Sequence, residues 1–292
     1  MKYFVIDSIA RSGTTLLSAL LRSQEKIVTF DGNFTEALHT TFNLGWPHET
    51  AIKPIVGGSL IQMGSFEGYK KEVCRIFENK RLSMGLTDQE VKNVFSGISN
   101  WDHTEKLYSR LGEKFNAKAV GFRWNQCNFY IDRWCNKSPS NHLWITMVRD
   151  PRDRIISNIK THGWNFNKSV DITHAYSRKI LDYGNTRKHL VVYYEDIINS
   201  PLQSLENIAD FLDIKDIKIK IPKNLVGADN KAYRNQGWRV KKELQNHRHG
   251  KEYSGLFTSS IGQFSDHLSP KQIEQINALM RKYSPLYERY LI

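Results

Sequence analysis

The sequence predicts an α/β fold: a central, mostly parallel sheet with helices on both faces. Two observations carry that prediction. Short apolar runs of strand length, bounded by polar residues, alternate with stretches whose apolar residues recur at helical spacing. The first of these runs also leads through small and hydroxyl residues directly into a helix. In that layout, backbone N–H groups and the positive helix end hold an anion. The 292 residues suffice for one sizeable core, and residues 1–292 read as a single domain.

In order, Tyr3-Phe4-Val5-Ile6-Asp7 reads as a buried strand, and Leu16, Leu17, Leu20 and Leu21 as the apolar face of the helix after it. Lys26 to Phe30 is a second strand. The stretch 34–68 mixes aromatics, histidines, Gly and Pro and reads as a loop-rich insertion beyond the second strand, where open α/β sheets place ligand chemistry. From Tyr69 to about Phe115 the pattern is mainly helical, and Ala117 to Phe122 is a third strand. His142 to Val148 is the most strand-like run, and Pro151 opens a helix with Ile155, Ile156 and Ile159 on one face. His189 to Tyr194 is a further strand, and Pro201 opens a helix faced by Leu202, Leu205, Ile208, Ala209, Phe211 and Leu212. The basic stretch 213–255 reads as a second loop-rich insertion near the site. A closing helix, Pro270 to Tyr290, carries no chemical signal.

Composition sets outer bounds. Hydrophobic content of 40% and charged content of 25% are those of an ordinary globular protein. No apolar run approaches the roughly 18 residues of a membrane span, and no signal peptide is visible. With Met1 taken as the start, the expected location is the cytoplasm. Cys74, Cys127 and Cys135 form no Cys-x-x-Cys pair and no Cys/His metal array, a usage that suits a reducing compartment, so no metal is expected. The net charge of +12 suits a doubly charged nucleotide, an acidic acceptor or nucleic acid.

The first loop is the chemical centre of the sequence. Gly13 lets the backbone approach an anion closely, the Thr14 and Thr15 hydroxyls can donate to it, and Arg11 supplies a cation. A nucleoside triphosphatase loop requires G-x-x-x-x-G-K-[ST], and this chain has neither the first glycine nor the lysine. Arg11-Ser12-Gly13-Thr14-Thr15-Leu16 instead resembles the 5′-phosphosulfate-binding loop of sulfotransferases that use 3′-phosphoadenosine-5′-phosphosulfate (PAPS).

Three further segments carry the resemblance in the family's order. Arg149 stands at the end of a strand, with Ser157 two turns into the next helix, and a guanidinium fork matches phosphate bidentately. The run Val148-Arg149-Asp150-Pro151-Arg152-Asp153-Arg154-Ile155-Ile156-Ser157 is similar to the family's 3′-phosphate motif. Its competing reading is a solvated turn in which Asp150, Arg152, Asp153 and Arg154 pair on the surface. The segment from Val192 to Ile198 is similar to the family's Y-E-D-L segment, where Tyr194 would contact the adenosine. Phe257 to Phe264 resembles the late loop over the nucleotide but lacks its Arg and Lys, which leaves Thr258, Ser259 and Ser260 to serve.

The resemblance implies a P-loop NTPase-like three-layer α/β/α fold and PAPS as co-substrate. It further implies transfer of a sulfuryl group to a hydroxyl of a sugar, phenol, lipid or peptide tyrosine, with positive charge favouring an anionic acceptor. Sulfuryl transfer needs in-line positioning, a neutralised leaving phosphate and a base for the acceptor proton. Arg11 with Thr14 and Thr15 fits the leaving phosphate, and Glu36, then Asp31, with His39 nearby, are the candidate bases. A P-loop small-molecule kinase is the rival enzyme reading, weakened by the missing lysine. A basic nucleic-acid-binding protein is the non-enzyme reading, but the chain shows no recognised module for it.

Overall fold

The computed structural model describes residues 1–31, 87–97, 104–125, 142–184, 188–215, 219 and 261–291. Five strands, β1 (Lys2–Ser8), β2 (Ile27–Asp31), β3 (Ala119–Asn125), β4 (Leu143–Val148) and β5 (His189–Tyr193), form one sheet in the order β2-β3-β1-β4-β5. Every pairing is parallel, with Phe4 opposite Gly121 on one side and Leu143 on the other. From β1 the chain moves outward to β2 on one side, and from β4 to β5 on the other. The order therefore reverses between β1 and β4, which opens a crevice at their carboxyl ends.

Strand alternation splits the core into two layers. Phe4, Ile6, Ile145, Met147 and Val192 face one way. They pack on α1 (Thr14–Arg22), α6 (Tyr194–Asn199) and α7 (Pro201–Phe211) through Leu17, Leu20, Leu21, Ile197, Leu205 and Ile208, most of them fully buried. Each leucine buried in this way contributes about 1.5–3 kcal/mol. Val148 and Val191 face the other way, onto α4 (Pro151–His162), α5 (Phe166–Gly184), α8 (Pro270–Lys282) and α9 (Ser284–Tyr287). On that second face α2 (Asp88–Phe95) packs beside α3 (Thr104–Lys114), whose Tyr108 stacks on Phe122 of β3 at 5.5 Å. The result is the expected three-layer α/β/α sandwich. Among the described residues no helix is long and apolar enough to cross a membrane.

Local chemistry sets the element ends. Asp150 caps α4 by accepting from the Arg152 N–H at 2.9 Å, Pro151 occupies the first helical turn, and Gly163 ends the helix at φ +63°. Ser269 and Gln272 form a reciprocal capping box at the start of α8. The structure differs from the sequence expectation at several element ends and in one whole helix. β3 begins at Ala119, because Asn116 (φ +49°) and the Ala117 N–H bond to Gly112 O still belong to the end of α3. Tyr194 starts a short helix rather than ending a strand. The closing helix breaks at Tyr283, and Pro285 follows within the first turn of the next segment. α5 is not announced by the pattern at all, because its buried face is half hydroxyl. Ser169, Thr173 and Ser177 are fully buried beside Tyr176 and Ile180, which erases the apolar period.

Candidate functional site

At the crevice between β1 and β4, the loop from Ile9 to Gly13 turns on two left-handed residues. Arg11 has φ +74° and Gly13 φ +94°. Positive φ suits Gly13, whereas at Arg11 it costs about 1 kcal/mol that the packing must offset. A Cβ on Gly13 would lie 2.4 Å from Tyr194 Cδ2 and 3.1 Å from Met147 Cε, so only glycine lets the loop pass under that ring. Ser8 Oγ donates to Met147 O at 2.7 Å, and the Ser12 N–H donates to Ile9 O at 3.3 Å, fixing the loop to β4 and closing its turn. Gly13 is the N-cap of α1 and, having no side chain, cannot itself cap that end. Ser12 and Thr14 are buried, while Thr15 is exposed. The loop thus presents a positive helix end and an Arg side chain in one place.

The second constellation meets the first. Arg149, only 6% exposed, donates from Nη1 to Arg11 O at 3.2 Å, and its guanidinium lies 4.7 Å above the Tyr194 ring. Arg11 Nε donates to Ser157 Oγ at 3.1 Å. Residues 138 and 146 positions apart in sequence are therefore joined by single hydrogen bonds. Two guanidiniums gathered at one crevice with a helix N-terminus form a concentrated cationic site, suited to a ligand that carries two anionic groups.

The charged residues after Arg149 are interior parts, and the surface-turn reading of them is overturned. Asp150 and Arg152 form a two-point ion pair at 2.7 Å, each about one-tenth exposed at the side chain. Asp153 is fully buried and accepts the N–H groups of Gly262 at 2.6 Å and Phe264 at 3.0 Å, which ties the end of the late loop to α4. Burial pushes the Asp153 carboxyl up to about 6, with the Gly262 N–H pulling the other way. Arg154 is buried between α4 and α5, donating to Ser169 O at 3.2 Å and to Thr173 Oγ1, and burial draws it down to about 10.

Arg11, Ser12, Gly13, Thr14, Arg149, Ser157 and Tyr194, all singled out by sequence, come together here. Thr15 lies on the same helix end. Asp31 closes β2. Its side chain lies outside the described residues, as do Glu36, His39, Thr258, Ser259 and Ser260, the insertion 34–68 and most of 213–255. Sequence reasoning assigned no role to Asp153, whose partners lie over a hundred residues away, or to Glu195. Glu195 Oε1 accepts the Asp150 N–H at 3.1 Å, and the one signal for it is its place beside Tyr194.

A family model described as "Sulfotransferase family" matches residues 4–217. Among curated protein sequences none matches. Among solved structures, the sulfotransferase domain from the Synechococcus PCC 7002 olefin synthase is 16% identical, with 97% of this chain and 94% of that one covered at a TM-score of 0.53. The sulfotransferase domain from the curacin biosynthetic pathway is 13% identical, with 97% and 98% covered at a TM-score of 0.58. At these identities the structural likeness establishes the shared fold.

Proposed function

The chain belongs to the sulfotransferase family, and from that premise we propose that it takes a sulfuryl group from PAPS and transfers it in line to a hydroxyl of a small-molecule or glycan acceptor. The observation that supports this best is the pair of contacts joining Arg11 to Ser157 and Arg149 to Arg11 O. Those contacts bring an anion-binding helix end and a separate guanidinium–hydroxyl pair into one crevice, which matches a nucleotide phosphorylated at both its 5′ and 3′ ends.

In this reading Arg149 and Ser157 grip the 3′-phosphate, and Tyr194 keeps the Arg149 fork in plane while lying against the adenosine side. Arg11, Ser12, Gly13, Thr14 and Thr15 hold the 5′-phosphosulfate. As the bond to sulfur breaks, the leaving phosphate oxygen gains charge, and Arg11 with the first turn of α1 meets that charge with donors already in place. Holding both ends of the donor fixes the sulfur for attack from the opposite side, so positioning does most of the catalytic work. The acceptor proton goes to a carboxylate just beyond β2, Glu36 or next Asp31. Thr258, Ser259 and Ser260 close over the nucleotide. The strongly basic chain favours an acceptor that is itself anionic.

The test is calorimetric titration with 3′-phosphoadenosine-5′-phosphate (PAP). The wild type is expected to bind at micromolar Kd, and Arg149→Ala to weaken binding by more than about tenfold through loss of charge-assisted hydrogen bonds. Glu36→Gln is expected to leave PAP binding intact while lowering turnover on a screened acceptor by about a hundredfold. A wild type that ignores PAP would refute the donor assignment.

A further inference from the structure

We propose that Glu195 and Tyr290 are positioning residues for Arg149, so that the turn after α9 belongs to the donor site's support. The inference rests on the reading of Arg149 as a phosphate ligand. Arg149 directly follows β4, and the next peptide, Arg149–Asp150, donates its N–H to Glu195 Oε1 at 3.1 Å. The other carboxylate oxygen, Glu195 Oε2, accepts from the Tyr290 hydroxyl at 2.5 Å. Tyr290 returns to the same loop through its backbone, because its carbonyl oxygen accepts from Arg152 Nη2 at 3.0 Å, and Arg152 in turn holds the Asp150 carboxylate. Asp150, Arg152, Tyr290 and Glu195 therefore form a closed ring of hydrogen bonds, and its Asp150–Glu195 link fixes the peptide plane on which the Arg149 side chain is mounted.

The ring acts on Arg149 at its root, while Tyr194 acts at its tip. Glu195 and Tyr194 are neighbours on α6, so one short helix holds both ends of the arginine. Tyr290 is 8% exposed, and burial together with the adjoining Glu195 carboxylate pushes its phenol up, which keeps it a donor. Its ring meets Tyr193 edge-on at 6.1 Å. A separate contact on the same turn, Arg289 with Asp196 at 2.7 and 2.8 Å, is partly exposed and touches neither Asp150 nor Arg149. That neighbour, whose guanidinium lies 4.3 Å over the Tyr193 ring and 5.8 Å from the Tyr290 ring centroid, offers a control because it anchors the turn while making none of the ring's hydrogen bonds.

PAP titration of the full chain, with thermal unfolding recorded on each variant, tests the assignment. Glu195→Ala is expected to weaken PAP about tenfold and Tyr290→Phe about threefold, a fraction of the direct worth of the hydrogen bonds lost, because both residues reach the phosphate only through Arg149. Glu195→Gln, which keeps an acceptor for the Asp150 N–H, is expected to stay within about twofold of wild type. Arg289→Ala lowers the melting temperature and leaves PAP affinity unchanged. Wild-type affinity in both Glu195→Ala and Tyr290→Phe, or an Arg289→Ala loss equal to that of Glu195→Ala, would overturn the assignment and leave a purely structural turn. A wild type that fails to bind PAP overturns the donor reading itself, and this inference with it.

Discussion

At the residue scale, two positions set measurable limits. Gly13→Ala combines a left-handed backbone with a methyl group 2.4 Å from the Tyr194 ring. Something must shift, so the variant is expected to lose at least about 2 kcal/mol in chemical denaturation. PAP binding should fall with it, because Tyr194 is also the face on which Arg149 rests. Asp153 makes a prediction in pH. Its folded pKa, near 6, lies above the 3.8 of an ordinary aspartate, so the folded state holds the proton more firmly than the unfolded one. That contribution is full below about pH 4 and is lost as pH rises through about 6, a change of about 3 kcal/mol. Denaturation midpoints of wild type and Asp153→Asn across that window should therefore diverge in slope, and parallel curves would refute the shift. The sequence exposed Gly13, Arg11 and Arg149 because each is the residue type its chemistry demands. It did not expose Asp153 or Tyr290, because an acid or a phenol acquires its role only from partners about a hundred positions away.

At the element scale, most helices and strands were legible and one long helix was not. The strands and α1, α4 and α7 show clean apolar runs or faces because one side of each meets an apolar layer. α5 escapes because it meets α4 through Ser169, Thr173 and Arg154. That seam is itself testable. Among the described residues the buried Arg154 guanidinium forms no ion pair with a carboxylate, and its Nη1 makes no hydrogen bond. Thr173 Oγ1 also donates to Ser169 O at 2.6 Å, a bond in which the arginine takes no part. Arg154→Met is accordingly expected to stay within about 1 kcal/mol of wild type, since a buried charge exchanged for an apolar chain of similar length is often neutral. Arg154→Ala, which leaves a cavity, is expected to cost about 3 kcal/mol in urea denaturation. A Met variant as damaged as the Ala variant would show that the charge itself is required.

At the scale of the whole molecule, the first strand is the central one. β1 pairs with β3 along its full length and with β4 on its other edge; its Phe4 and Ile6 feed one core, and Ile9 just beyond it feeds the other. A chain lacking residues 1–8 is expected to show no cooperative thermal transition, because it loses both pairings and the anchor of the Arg11 loop together. A sharp transition in that variant would mean that the flanking layers hold the sheet without it. The parallel sheet followed from the alternation of strands and helices, and the place of the site from the strand–loop–helix motif at Arg11 to Thr15, whereas the strand order and its reversal point came only with the structure. Which helix lies on which face did not, because nothing local encodes it.

The ring through Tyr290 also bears on how the protein is made. The last strand of the sheet is complete at Tyr193, whereas the hydroxyl that steadies Glu195 arrives 95 positions after it. On a ribosome adding roughly 5–20 residues per second, the nascent chain holds every strand sequence of the sheet for about 5–20 s before that hydroxyl is synthesised. Through that interval the Arg11 loop and Arg149 have their strand sequences but neither their brace nor the α8–α9 layer, so a translation product interrupted after residue 215 would lack a set donor site.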